Sequence, residues 1–425
     1  MATLDTTDFS RRANLPVDRA DGARPRHVTR LDRWLAAQVQ CTIADGPVRV
    51  ELWDGRLADG APASAEGDLI LLDRRALLGL VVNPDLYLGE AYRSGRLRIR
   101  GSLRQVVHAL SRSRAAKPSR WERAAALLSR ANDITAARRN VRHHYDLGNE
   151  FYGRWLDSEM VYTCAYYAGE GLTLEAAQRA KMDLVCRKLR LQPGEHVVEA
   201  GCGWGALALH MARHYGVSVQ AFNLSAEQLS WARDRAQREG LAGQVEFVED
   251  DYRNVSGECD AFVSIGMLEH VGRRSFDALA AVLRRTVKRS GGRGLLHFIG
   301  RDLPRPLNPW IRRRIFPGAY TPTLAEVTAR IVGPAGMSVV DVENLRMHYA
   351  RTLADWSERF AAAGDGVRAT CSDEFCRTWE LYLAGAEAAF RTGWMQLFQI
   401  VFAPRESPPP FATRAEIYSG LAART

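Results

Sequence analysis

A glycine-rich segment in the middle of the chain has the residue types of a nucleotide-binding turn. It reads Val197-Val198-Glu199-Ala200-Gly201-Cys202-Gly203-Trp204-Gly205, with glycine at alternate positions after an acidic residue. Glycines let the backbone pass close to a ligand where a Cβ atom would clash. A second β-branched run, Val217-Ser218-Val219-Gln220-Ala221-Phe222, follows after a gap long enough for a helix. This order of strand, turn, helix and strand indicates the opening of a nucleotide-binding α/β domain.

Two cofactors use turns of this kind. The run from Gly201 to Ala206 fits the dinucleotide pattern G-x-G-x-x-A, whereas the run that starts at Glu199 fits the acidic-x-G-x-G-x-G turn of S-adenosylmethionine (SAM) methyltransferases. The dinucleotide pattern expects a carboxylate about 20 positions further on, but Asn223-Leu224-Ser225 stands there. Glu199 could instead face the cationic amino group or sulfonium of SAM. The segment therefore favours SAM over NAD, and a glycine turn in an unrelated α/β protein is the remaining alternative.

The elements that must position this turn form an α/β pattern. We predict a class I SAM-methyltransferase (Rossmann-like) domain over residues 144–404, preceded by a small α+β domain over residues 31–114. Strands of the large domain, with helices between them, are expected near residues 195–200, 217–222, 244–248, 260–265, 293–299 and 337–342.

The flanking segments carry much of the positive charge. Residues 1–30 and 405–425 are predicted to be tails, and residues 115–143 to be a basic linker helix that could lie on an anionic bilayer. In the small domain, Val48–Trp53, Asp68–Asp73 and Arg96–Arg100 are typical of strands. The arginines of Arg96–Arg100 fall on one face, which could be merely solvated or could contact phosphate head groups.

Composition limits the classes of function. The 425 residues carry a net charge of +9, which suits nucleic acid, anionic lipid or acidic substrates. The chain contains no apolar run long enough to span a membrane and no secretory signal pattern at its start. The seven cysteines are scattered without zinc-ligand spacing, so we expect a reducing, cytoplasmic compartment and no metal.

Several further motifs follow one another along the chain. They are His144-Tyr145-Asp146-Leu147-Gly148-Asn149, Tyr162-Thr163-Cys164-Ala165-Tyr166, Gly266-Met267-Leu268-Glu269-His270-Val271-Gly272, Leu295-Leu296-His297-Phe298-Ile299-Gly300, Trp310-Ile311, Phe316-Pro317-Gly318 and Tyr349 with Trp356. In order and spacing, these motifs together resemble the cyclopropane-fatty-acyl-phospholipid synthase family, which includes the mycolic acid cyclopropane synthases. The resemblance covers about residues 140–403 and extends more weakly over the small domain.

The resemblance implies addition of a SAM-derived methylene group across a cis double bond of a lipid acyl chain. It also implies a bound bicarbonate ion as the base, held by Cys164, Glu269, His297, Tyr349 and the backbone of Ile299. The physical need for a base is independent of the family, because attack by an alkene on a methyl donor leaves a carbocation and a proton to remove. Water in the site would trap that cation as an alcohol.

The resemblance also implies a set of SAM contacts. Asn223 and Gln228 could form hydrogen bonds with ribose hydroxyls or the methionyl tail. Tyr252 could stack on adenine, and Asp250 or Asp251 could accept a hydrogen bond from the adenine amino group. The full set is Tyr162, Thr163, Val198, Glu199, Ala200, Gly201, Cys202, Gly203, Trp204, Gly205, Ala206, Asn223, Leu224, Ser225, Gln228, Asp251 and Tyr252.

The chain departs from the family in three places. Ala386 replaces a cysteine that the family often has, residues 343–348 differ from the common pattern, and the segment from His297 to Trp310 is rich in Pro and Arg. The expected partners are unsaturated phospholipid acyl chains and an anionic membrane surface, with peripheral membrane association and no nucleic acid. A homodimer is implied only by the family. The alternatives are a methylene- or methyl-branched product, amine methylation and a non-catalytic lipid-binding relative.

Overall fold

Two β-sheets organise the chain. The computed structural model describes residues 27–43, 46–113 and 148–418. The larger sheet contains the strands β4 (His196–Ala200), β5 (Ser218–Asn223), β6 (Val245–Glu249), β7 (Ala261–Ile265), β8 (Arg293–Gly300), β9 (Met337–Asn344) and β10 (Gln396–Pro404). The smaller sheet contains β1 (Val48–Glu51), β2 (Gly67–Leu71) and β3 (Leu97–Gly101).

Helices pack around both sheets. Those of the small domain are α1 (Arg30–Thr42), α2 (Arg74–Val82), α3 (Pro84–Arg93) and α4 (Leu103–Ser113). Those of the large domain are α5 (Asn149–Gly153), α6 (Leu174–Lys188), α7 (Ala206–Tyr215), α8 (Ala226–Arg238), α9 (Leu268–Val271), α10 (Phe276–Thr286), α11 (Pro309–Arg314), α12 (Leu324–Val327), α13 (Arg346–Ala362), α14 (Gly364–Arg368), α15 (Asp373–Arg391) and α16 (Ala415–Tyr418).

The large sheet has the order β6-β5-β4-β7-β8-β10-β9. Strands β6, β5, β4, β7 and β8 are parallel, and β10 runs antiparallel to both β8 and β9. The chain leaves β4 toward β5 on one side and returns to β7 on the other, so a cleft opens at the carboxyl end of β4. Ligands of open α/β sheets bind at such a switch point. The predicted fold class is confirmed, and all six predicted strands lie within two residues of their predicted bounds.

Strand β10 was not predicted. All nine of its residues are buried, and it inserts between β8 and β9. The sequence of a strand that is covered on both faces does not alternate between apolar and polar residues. Hydrophobic periodicity alone therefore cannot distinguish such a strand from a buried helix.

The small domain packs against the large one through ion pairs and one close contact. Glu90 accepts two hydrogen bonds from Arg314, of 2.7 and 2.8 Å, and Glu387 accepts two from Arg104. An added Cβ on Gly89 would lie 2.4 Å from the ring of Trp310, so only glycine allows α3 and α11 to approach this closely. This contact places the small domain beside the cleft.

The described part of the C-terminal segment packs on the large domain. Within the described part of residues 405–425, Phe411 and Ile417 are buried and Arg414 pairs with Asp341, so this segment is not a detached tail. The predicted linker helix 115–143 and most of the tail 1–30 lie outside the described residues.

The predicted arginine face of β3 is largely neutralised. Arg100 pairs with Glu51 and Asp68, and Arg96 pairs with Asp73. Arginines that are already paired with carboxylates attract phosphate only weakly. Arg96 and Arg100 therefore do not support a contact between this strand face and phosphate head groups.

No described helix is both long enough and apolar enough to cross a membrane.

Candidate active site

One cavity joins the glycine turn to the small domain. Its volume is about 760 Å³, and it lies at the carboxyl ends of β4, β5, β7 and β8. From there it continues between helices of the small domain, where Val39, Leu88 and Leu110 line it. A single space therefore contacts both the predicted nucleotide turn and a long apolar compartment.

The glycine turn adopts the conformation that its sequence predicts. Gly201, Gly203 and Gly205 have φ values of +85°, +55° and +80°, a region that L side chains rarely adopt. A Cβ on Gly205 would lie 2.7 Å from the Phe247 ring and 2.9 Å from the Ala232 Cβ, whereas a Cβ on Gly203 meets nothing within 4 Å. Gly205 thus serves helix packing, and Gly203 leaves room for a ligand.

A buried acid and a buried base stand next to the turn. Glu199 is 2% exposed and its Oε2 has no hydrogen-bond partner. Burial raises its pKa to about 8, opposed by the nearby Lys181. The Lys181 ammonium donates to Thr163 Oγ1 at 2.9 Å, and burial lowers its pKa to about 8, opposed first by Asp157. An acidic and a basic side chain that line one cavity suit the amino and carboxylate groups of an amino-acid moiety.

The opposite end of the turn carries amide and carboxylate side chains. Asn223 Nδ2 donates to Gly203 O at 3.1 Å and to Gln228 Oε1 at 2.8 Å, so the amide pair is fixed against the turn. Both carboxylate oxygens of Asp251 accept from Arg253. The Tyr252 hydroxyl is buried without a hydrogen-bond partner. Asn223, Gln228 and Tyr252 line the cavity and can contact a nucleoside.

Most of the predicted SAM contacts face the cavity. Those that line it are Tyr162, Thr163, Glu199, Gly201, Cys202, Gly203, Trp204, Ala206, Asn223, Leu224, Gln228, Asp251 and Tyr252. Four others do not line it: Val198 and Ala200 belong to the apolar core, Gly205 packs on Phe247, and Ser225 caps α8 through the amide of Gln228.

Two buried polar atoms without hydrogen-bond partners belong to residues that line the same cavity. Glu269 Oε1 accepts from the Ile299 amide at 2.5 Å, while Glu269 Oε2 and His297 Nε2 are buried without partners. Burial raises the pKa of the Glu269 carboxyl to about 7, and the Ile299 amide opposes that shift. Burial, with Lys181 and Lys188 nearby, holds the pKa of His297 well below its usual range, so its imidazole is neutral.

Cys164 and Tyr349 complete the predicted set, since all five predicted residues line the same cavity. Cys164 is 1% exposed, its thiol donates to Ala165 O at 3.1 Å, and burial raises its pKa above the usual range. A thiol in this state is no nucleophile at neutral pH. The ring of Tyr349 packs on Phe390 with centroids 4.7 Å apart.

Three buried polar side chains of the site were missed by the sequence analysis. Lys181 and Lys188 lie seven residues apart on α6, so both face the sheet, and Gln399 lies on the unpredicted strand β10. A lysine pair at helical spacing inside an otherwise apolar face was the available signal. The sequence offered no comparable signal for Gln399.

The fold and the cavity define an enzyme of the SAM-dependent methyltransferase class. A family model described as mycolic acid cyclopropane synthetase matches residues 132–400, and one described as a domain of unknown function (DUF7884) matches residues 37–118. The chain therefore belongs to the mycolic acid cyclopropane synthetase family.

Individual relatives agree with this assignment. The chain is 37% identical to a probable fatty acid methyltransferase of Pseudomonas putida, over 84% of this chain and 91% of that protein. It is 40% identical to the cyclopropane-fatty-acyl-phospholipid synthase of Escherichia coli K12, over 61% of this chain and 66% of that protein. The structure of the cyclopropane synthase MmaA2 from Mycobacterium tuberculosis matches with a TM-score of 0.60 at 30% identity, over 63% of this chain and 98% of that one.

Proposed function

We propose that this enzyme transfers a methylene group from SAM to the cis double bond of unsaturated phospholipid acyl chains and forms a cyclopropane ring. The observation that carries the proposal is the single cavity. It joins the SAM turn, the unpartnered atoms of Glu269 and His297, and an apolar compartment that reaches the small domain. The predicted domain division supports the proposal, because the small domain supplies part of the compartment.

The aromatic lining suits a reaction that passes through a carbocation. SAM supplies an electrophilic methyl group, and the alkene is a weak nucleophile that must be held close and in line. Tyr162, Tyr382 and Phe390 line the cavity, and the two tyrosine hydroxyls lie 2.9 Å apart. Aromatic faces attract cations and keep water out. These residues therefore favour survival of the cation until a proton is removed.

The donor set near Glu269 fits bicarbonate. When bound, bicarbonate would supply a base in a site that has few exposed bases of its own. His297 Nε2 can donate to an anionic oxygen, and Glu269 Oε2 can accept from a hydroxyl, which matches the two kinds of oxygen in bicarbonate. Tyr349 and Cys164 line the same space. The Ile299 amide donates to Glu269, so this residue supports the site through that carboxylate.

A phosphodiester on the substrate is supported by two arginines in the cavity lining. Arg301 is 7% exposed, donates to Thr321 Oγ1 at 2.8 Å, and has no ion pair with any carboxylate of the described residues. Arg305 also lines the cavity. A buried guanidinium that lacks a carboxylate is costly unless an anion neutralises it. The head group of a phospholipid carries such an anion.

This arrangement predicts an effect of Arg301→Gln on substrate choice. The KM for phospholipid vesicles should rise roughly tenfold because one charge-assisted contact is lost, while turnover of dispersed methyl oleate should stay unchanged. Steady-state rates on both substrates test this. Arg312→Gln, which removes an exposed arginine outside the cavity lining, is the matched control. Equal effects of Arg301→Gln on both substrates would exclude a phosphate role.

Peripheral membrane association is supported by an exposed apolar patch on the small domain. The side chains of Trp34 on α1, Val81 and Val82 on α2, and Tyr87 on α3 are 59%, 41%, 77% and 40% exposed. Leu80, Pro84 and Leu88 from the same helices line the cavity. Exposed apolar side chains on helices that also line an apolar cavity suit contact with a bilayer from which an acyl chain is taken. A cytoplasmic location fits this role.

The acyl chain is expected to pass the small residues of α15. Gly385, Ala386 and Ala389 line the cavity beside Tyr382 and Phe390. Ala386→Phe should lower methyl transfer to lipid roughly tenfold or more by occluding this path, and leave the SAM dissociation constant unchanged. Calorimetry and a rate assay measure the two quantities. Ala386→Cys restores the common residue of the family at similar volume and should retain turnover. Full activity of the Phe variant would place the acyl chain elsewhere.

A branched acyl chain is the second candidate product, because some relatives are named cyclopropane synthases and others fatty acid methyltransferases. The P. putida relative is a probable fatty acid methyltransferase, and a tuberculostearic acid methyltransferase of M. tuberculosis is 38% identical over 64% of this chain. The proposed function is tested by incubating the enzyme with SAM and vesicles that contain either cis-unsaturated or saturated phospholipid. Mass spectrometry should find one added CH₂ on unsaturated chains alone. Unmodified unsaturated chains would contradict both candidates.

A further inference from the structure

Three adjacent strands place a row of polar side chains behind His297. Gln399 on β10 is the register partner of His297 on β8 and of Glu343 on β9. Register partners on neighbouring strands project to the same face of a sheet. His297, Gln399 and Glu343 therefore lie side by side, and Lys188 at the end of α6 packs onto them.

Hydrogen bonds connect this row without a gap. Lys188 Nζ donates to Glu343 Oε2 at 2.5 Å and to Gln399 Oε1 at 2.7 Å, and Gln399 Nε2 lies 2.9 Å from His297 Nδ1. Tyr418 also donates to Glu343 Oε2, at 2.8 Å. Lys188 and Gln399 are 0% exposed, so water does not compete for these contacts.

The lysine determines which way the amide of Gln399 points. An ammonium group only donates, so the atom of Gln399 that it contacts must be the carbonyl oxygen. The NH₂ group of Gln399 then faces His297 and donates to Nδ1. Because Nδ1 accepts, the neutral ring must carry its hydrogen on Nε2. Nε2 is the buried atom without a partner that faces the cavity.

We propose that Gln399, held by Lys188 and Glu343, is a positioning residue that fixes His297 as the Nε2–H tautomer and so makes it a hydrogen-bond donor toward the reaction cavity. The inference rests on the proposed function, in which His297 donates to an anion. It also gives a role to Glu343, one of the positions at which this chain departs from the family pattern.

The first test measures the tautomer in the wild-type enzyme. Protein labelled with ¹⁵N at histidine gives two-bond ¹H–¹⁵N spectra that distinguish the tautomers, and His297→Asn identifies the signal by its loss. We expect the Nε2–H pattern. An Nδ1–H pattern would overturn the inference whatever the product of the enzyme. Absence of methyl transfer by the wild-type enzyme would instead overturn the proposed function and leave the tautomer result standing.

The second test inverts the hydrogen bond. In Gln399→Glu, a carboxylate retains the pairing with Lys188 but accepts from Nδ1–H, so neutral His297 loses the hydrogen on Nε2. Turnover at pH 8 should fall about a hundredfold, as when one anion-stabilising donor is removed. The ratio of variant to wild-type turnover should rise as the pH falls, because a carboxylate neighbour favours imidazolium, which again donates from Nε2.

The pH comparison must allow for the other groups that face His297. These are Lys181 and Lys188 from α6, Glu269 from α9, Tyr349 from α13, Cys164, and Glu343 through Lys188. All are common to both enzymes, so the ratio isolates the change at Gln399. Gln244→Glu, which adds an exposed carboxylate outside the cavity lining, is the matched control and should show a ratio independent of pH. A flat ratio for Gln399→Glu, or undiminished turnover, would overturn the inference.

Discussion

Replacing Glu269 by Gln should lower kcat roughly a hundredfold or more, as expected when a group that handles a proton is lost. The variant keeps the size of the side chain and an oxygen that can accept from the Ile299 amide, so the local fold should persist. It replaces the other, unpartnered oxygen with an NH₂ group that cannot take up a proton. The SAM dissociation constant should change little, because the proposed SAM contacts cluster around Glu199 and Asn223 instead. Single-turnover rates and calorimetry measure the two quantities.

Glu249→Gln provides the control for this experiment. Glu249 ends the edge strand β6, is exposed and does not line the cavity, so its replacement should leave turnover unchanged. If Glu269→Gln weakened SAM binding as much as turnover, Glu269 would be a cofactor contact. The proposed bicarbonate site would then lack the carboxylate oxygen that accepts from the bicarbonate hydroxyl.

Gly203→Ala is expected to weaken SAM binding about tenfold or more, which corresponds to about 1.4 kcal/mol. The added methyl group meets no protein atom within 4 Å. Because Gly203 lines the cavity, the methyl group would occupy space inside it. Because an alanine is strained at the φ of +55°, the substitution should also lower the free energy of unfolding by about 1 kcal/mol. Calorimetry with SAM and thermal unfolding separate the two effects.

Two other glycines serve as controls for Gly203. Gly240 has a φ of +69°, no protein atom near a Cβ and a position outside the cavity lining, so Gly240→Ala should show the conformational cost alone. Gly205→Ala would bring a Cβ to 2.7 Å from Phe247 and should mainly lower stability. Wild-type SAM affinity in Gly203→Ala would show that the cofactor does not pass this glycine.

The sequence was sufficient to predict the parts of the fold that have local signals. Alternating glycines after β4 defined the turn, and β-branched runs located six strands, because burial and backbone geometry act on neighbouring residues there. Glu269, just after β7, and His297, within β8, were predicted as site residues from the family resemblance of the motifs that contain them. Their shared cavity agrees with that prediction.

Longer-range features escaped the sequence analysis for physical reasons. Strand β10 has no polar alternation because both of its faces are buried. Gln399 therefore looked like an isolated polar residue, and only the register of β8, β10 and β9 places it between His297 and Glu343. The helical spacing of Lys181 and Lys188 places them on one side of α6, but only tertiary packing shows that this side is buried. The ion pairs of Arg96 and Arg100 likewise depend on strand pairing.

The central claim is that methyl transfer ends in a ring. The most direct measurement uses SAM with a ¹³C-labelled methyl group and vesicles of cis-unsaturated phospholipid, followed by ¹³C NMR of the isolated acyl chains. The label should appear as a cyclopropane methylene carbon that bridges the two former alkene carbons. Label in an exocyclic methylene or a branched methyl group would contradict the claim.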